Sequence, residues 1–134
     1  MTAETLNTTP RAARLIYILD AAVCFAMGVA LMALAGPLAA LTGGVLPPAL
    51  LFWAGLVLLP WAAFNLYTGR ARHLAPGTLG VHLLGDAAWV VGSVIVLIAY
   101  AGGLNAIGMV LLAGQAVAVL GVFTIKLMTR RALA

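Results

Sequence analysis

Four long apolar runs divide the chain, over residues 12–35, 48–68, 78–100 and 104–127, with Gly, Pro and Arg gathered in the short stretches between them. Each has roughly the 20 residues needed to cross about 30 Å of hydrocarbon at 1.5 Å per residue. The pattern predicts an all-α membrane protein: a four-transmembrane-helix bundle over residues 12–134, preceded by a flexible tail over residues 1–11 that is rich in threonine. Pro37 and "TGGVLPP", residues 42–48, mark a turn after the first run. Pro47 and Pro48 suit a helix start, where a missing N–H costs nothing. Gly102 and Gly103 leave so short a link that the third and fourth runs should form an antiparallel hairpin.

Composition narrows the class. Hydrophobic residues make up 65% of the chain and charged residues 7%, against about a quarter charged in soluble domains. The net charge of +4 would suggest a nucleic-acid partner in a soluble chain. Here the cations flank the apolar runs: Arg11 and Arg14 before the first, Arg70 and Arg72 in the second loop, and Lys126, Arg130 and Arg131 at the end of the fourth. The first and third loops carry none, so the positive-inside rule predicts both termini in the cytoplasm; the location expected is an inner, cytoplasmic membrane, and no nucleic-acid partner is expected. The basic loop "GRARHLAPG" offers Arg70 and Arg72 to anionic lipid. "ALA" at residues 33–35 resembles a signal-peptide cleavage site, but the preceding stretch is too long and contains Asp20. Cys24 is the only cysteine and can form no disulfide within the chain.

Both aspartates of the chain, Asp20 and Asp86, lie inside apolar runs, and each is followed by two alanines. Residues 20–40 and 86–106 agree at nine of 21 positions, which raises the prospect of two hairpin repeats about an axis normal to the membrane. Depth brings the aspartates together whether or not the halves are related. Each lies eight residues from the cytoplasmic end of its span, about 12 Å in. Pro60 falls at a similar depth in the second span, Asn65 and His82 nearer the cytoplasm, and Gln115 a little deeper. Every span thus contributes a polar or helix-breaking residue to one inner zone. A charge at such a depth costs about 2.5 to 3.5 kcal/mol and by default faces the bundle interior.

Helical spacing adds detail. His82, Asp86, Trp89, Ser93 and Tyr100 share one face of the third span, and His82 and Asp86, four residues apart, can meet. Asp20 shares a face with Tyr17, Cys24 and Met27. Pro60 leaves the carbonyl of Leu56 without a helical donor and should kink the second span. Stripes of small residues at Ala22, Ala26, Ala30 and Ala33, and at Gly114, Ala118 and Gly121, would allow close backbone approach within the bundle or between subunits. The candidate proton or ligand site is therefore Asp20, Asp86, His82, Asn65 and Gln115, with Pro60 as a kink. The structural alternative is that each aspartate pairs with Arg14, Arg72 or His82 and only holds the bundle together.

Several chemistries are set aside. The chain has no glycine-rich phosphate loop, no CxxC and no His pair at metal-ligand spacing, so no metal or cofactor is expected. Ser93, the only serine, lies about 16 Å along the helix from His82, too far for a nucleophile–base pair. Haem would have to be shared through His82 between two subunits. Residues 83–86 read Leu-Leu-Gly-Asp, not the Gly-x-Gly-Asp of intramembrane aspartyl proteases, so no catalytic residues are assigned. In size and span number the chain resembles the small multidrug resistance transporters in architecture. That family relies on an acidic residue in its first helix, where Asp20 falls, although the residue there is Glu.

Two functions follow from different classes. One is a non-enzymatic accessory or assembly subunit that packs its polar layer and small-residue stripes within a larger membrane complex. The other is a proton-linked binding or transport protein for a cation or small molecule, working as a homodimer. Its Asp20/Asp86 pair cannot readily ionise twice in a low-dielectric site, the physical requirement for proton coupling.

Overall fold

The computed structural model describes residues 9–134, which form five α-helices and a closing 3-10 turn over Arg130–Ala132. Helices α1 (Pro10–Ala33), α3 (Pro48–Arg70), α4 (Thr78–Tyr100) and α5 (Ala106–Thr129) are long and apolar enough to cross a membrane. A short helix, α2 (Ala35–Leu41), follows α1.

The element ends are set by capping chemistry. Of the tail expected over residues 1–11, residues 1–8 lie outside the described residues, and Pro10 and Arg11 belong to α1. The side chain of Thr9 accepts from the Ala12 N–H at 3.3 Å and Pro10 takes the first helical position, so α1 begins two residues before the expected boundary. Residues 35–41, expected to turn, are helical, because Pro37 falls in the first turn of α2, where its missing N–H is not needed. At α5 the side chain of Asn105 accepts from the Gly108 N–H at 2.9 Å, which moves the helix start from residue 104 to Ala106. Both α3 and α5 run two residues past the expected span ends.

The helices pair as two hairpins. α1 packs along α3, α4 packs along α5, and the pairs meet chiefly through α1 and α5. The α1–α3 seam is closest at Gly28 and Gly55: a Cβ on Gly28 would lie 2.9 Å from the Gly55 carbonyl oxygen, and one on Gly55 2.6 Å from that of Gly28. The alanine and glycine stripes do not make this contact. Ala22, Ala26, Gly114, Ala118 and Gly121 are exposed, because the seam follows a different face of each helix. Large apolar side chains such as Leu84, Ile98 and Val110 also point outward, as a bilayer requires.

Each end of the bundle is tied. At the arginine-bearing end, Arg14 donates to the carbonyls of Ala71 and, at 3.3 Å, Arg72. It therefore caps the C-terminus of α3 instead of pairing with an aspartate. At the far end the Asn105 N–H donates to the Thr42 carbonyl at 3.2 Å and the Asn105 side chain to the Leu41 carbonyl at 2.8 Å. These bonds join the connection after α2 to the one before α5.

Candidate functional site

Lys126 is the only lysine of the chain, and its ammonium lies between the only two aspartates. Nζ is 2.6 Å from Asp20 Oδ2, 2.9 Å from Asp86 Oδ2 and 3.0 Å from Asn65 Oδ1. One residue comes from each spanning helix. All are buried: Lys126 and Asn65 are 0% exposed, Asp86 3% and Asp20 9%. The contact to Asp20 is a full hydrogen bond, and Asp20 Oδ1 also accepts from the Cys24 thiol at 3.4 Å. The contact to Asp86 is an ion pair without hydrogen-bond geometry. Asn65 is held by its own amide, which donates to the Trp61 carbonyl at 3.2 Å, and the ring of Tyr17 lies 5.1 Å from Nζ.

Helix direction explains why these residues meet. Side chains tilt toward the N-terminus of their own helix. α1 and α4 start at the arginine end, so Asp20 and Asp86 lean back toward it from about 12 to 15 Å inside. α5 runs the opposite way, so Lys126, about 5 Å from the end of that helix, leans inward. The lysine read from sequence as a basic flank is therefore the counter-charge of both acids. Two signals pointed to it: all six other cations are arginine, and Ile125 and Leu127 flank it on either side.

Other candidates separate from this cluster. His82 does not reach Asp86, although the spacing permits it, because Thr68 on α3 takes its Nε2 at 2.7 Å. The Thr68 hydroxyl donates to the Phe64 carbonyl at 3.0 Å and so accepts from His82 Nε2–H. The imidazole stacks on Phe64, 4.2 Å between centroids and 6° between planes, and meets Tyr17 and Trp61 edge-on. Pro60 lies within an unbroken α3 but is exposed. Five residues from Asn65 is about 140° around a helix, so depth and facing disagree.

Gln115 belongs elsewhere. It precedes Lys126 by eleven residues, about 16 Å along α5. There its Oε1 accepts from Trp89 Nε1 at 2.8 Å, and its Nε2 donates to Ser93 Oγ at 2.7 Å and the Leu112 carbonyl at 3.2 Å. Ser93 in turn donates to the Trp89 carbonyl at 2.8 Å. This polar knot lines a crevice of about 930 Å³ between the hairpins. Val57, Val110 and Leu111 line the crevice and remain exposed, so it is reachable from outside. No charged side chain lines it, and neither Asp20, Asp86 nor Lys126 does. Trp61 also lines it and packs against Gly85, where any Cβ would strike the indole ring. Because Trp61 also contacts His82, it stands between the crevice and the polar base.

Chemically, the base joins the hairpins. Asp20, Asn65 and Thr68 come from one, and Asp86, Lys126 and His82 from the other. Among the described residues no group of three or more His, Cys, Asp or Glu side chains gathers to hold a metal. Comparison with protein-family models, with curated proteins and with solved structures finds no match.

Proposed function

We propose that this multi-pass membrane protein is a non-enzymatic binding protein that takes an uncharged, largely apolar small molecule into the crevice between its hairpins. The crevice carries this reading: its volume of about 930 Å³ falls within the range of small-molecule sites, which pair an apolar lining with a few placed polar groups. The Asp20–Lys126–Asp86 cluster fixes the two hairpins at the base and does not touch the ligand. It holds one carboxylate more than ammonium, which is where proton linkage would enter. The test is native mass spectrometry of protein extracted in mild detergent, with proton release on ligand addition compared among wild type, Asp20→Asn and Asp86→Asn. A stoichiometric small-molecule adduct supports the reading. Absence of any adduct, together with failure of added apolar probes to bind, overturns it.

One observation favours a second reading, the accessory subunit. Gly121 is exposed on α5, outside the crevice, with nothing within 4 Å of a would-be Cβ, a surface on which another helix could pack closely. A co-purifying membrane protein that is lost on Gly121→Leu would support that role.

A further inference from the structure

Resting on the crevice as a ligand site, the hydrogen-bond inventory of its polar knot restricts which molecule fits. Every donor in the knot is used. The Trp89 indole N–H goes to Gln115 Oε1, both Gln115 amide hydrogens go to Ser93 Oγ and the Leu112 carbonyl, and the Ser93 hydroxyl hydrogen goes to the Trp89 carbonyl. What remains free is acceptor capacity. Gln115 Oε1 and Ser93 Oγ each accept one bond and each keep a second lone pair.

Depth excludes a conventional lipid headgroup. Gln115 lies nine residues from the start of α5, about 14 Å from the far end of the span, and Ser93 lies 15 residues from the arginine end of α4, about 22 Å. Both are inside the hydrocarbon, where a phosphate or ammonium would need a counter-charge that the lining does not supply. We propose that the crevice selects a neutral, apolar molecule bearing a hydroxyl, whose O–H donates to Gln115 Oε1 or Ser93 Oγ. It discriminates against the corresponding ketone, which brings an acceptor to a knot whose four donor hydrogens are already used.

The test uses the full chain in lipid nanodiscs, with the indole ¹H–¹⁵N signals of its three tryptophans as reporters. Trp61 and Trp89 line the crevice, and Trp53, 61% exposed and outside it, reports non-specific partitioning. Titrants are 7-tridecanol, 7-tridecanone and tridecane, which share one carbon skeleton. The expected result is a saturating shift of Trp89, with Trp53 unmoved, at a mole fraction of alcohol about three- to tenfold below that of ketone, the range one net hydrogen bond provides. Ser93→Ala, which removes one acceptor, should narrow that ratio. Equal or stronger binding of the ketone overturns the hydroxyl selectivity while leaving the crevice reading standing, whereas a Trp53 shift that tracks Trp89 for every probe marks non-specific partitioning and overturns both. Silence of Trp61 and Trp89 toward all three probes overturns both.

Discussion

Replacing Lys126 with methionine keeps most of the side-chain volume and removes the only ammonium that the two buried carboxylates share. In the native cluster Asp20 and Asp86 lie 2.6 and 2.9 Å from that charge. Removing one partner of a buried pair costs about 3 to 5 kcal/mol because the remaining charge is left uncompensated, and here two are left. At 1.36 kcal/mol per tenfold, the ratio of folded to unfolded protein should fall by roughly two to four orders of magnitude. The single variants Asp20→Asn and Asp86→Asn each leave one carboxylate facing one ammonium, so each should be much milder. The triple variant Asp20→Asn, Asp86→Asn, Lys126→Met leaves the cluster without charge and should recover most of the loss, since uncharged replacements of buried ion clusters are often neutral or stabilising. Reversible unfolding in mixed micelles, followed by tryptophan fluorescence, reads all four. A Lys126→Met protein within about 1 kcal/mol of wild type, or a triple variant no better than the single lysine change, would refute the electrostatic argument.

Other perturbations probe the frame around the cluster. Thr68→Val strips His82 Nε2 of its buried partner and should destabilise by about 1 to 3 kcal/mol in the same assay. Gly55→Val places a side chain where a Cβ alone would lie 2.6 Å from the Gly28 carbonyl oxygen, and the forced separation of α1 and α3 should cost about 1 to 3 kcal/mol. Gly114→Ala meets open space and should stay within about 0.5 kcal/mol of wild type as a monomer. Asn105→Ala removes both the N-cap of α5 and the bond to Leu41. It should cost at least about 1 kcal/mol and raise hydrogen exchange at the Gly108 amide.

The four spans were legible because apolar runs of about 20 residues have few alternative explanations. The convergence of Asp20 and Asp86 was legible too, since rise per residue fixes depth without any knowledge of packing. Lys126 was not, because a lysine near a span end is ordinarily a flank, and its inward course depends on α5 running antiparallel to α1 and α4. Pro60 and Gln115 show two further limits. Pro60 shares a depth with Asp20 but not a face, and a helical angle drawn from Asn65 would have separated them. Gln115 carries the same polar signature as the cluster residues, yet its partners, Trp89 and Ser93, are set by the α4–α5 hairpin about 16 Å along the helix from Lys126. The hydrogen bond from His82 to Thr68 depends on how α4 faces α3 across the bundle, and spacing along one helix does not contain that information.

The chain itself provides the labels for a decisive measurement. With one lysine and two aspartates in 134 residues, a sample in lipid carrying ¹⁵N-lysine and ¹³Cγ-aspartate gives signals from the cluster alone. Dipolar recoupling by solid-state NMR should show strong dephasing of the Lys126 Nζ signal by both carboxyl carbons, as N···O distances of 2.6 and 2.9 Å require. A freely rotating, solvent-exchanging ammonium with no dephasing from either aspartate would place Lys126 at the membrane surface and contradict the cluster that joins the two hairpins.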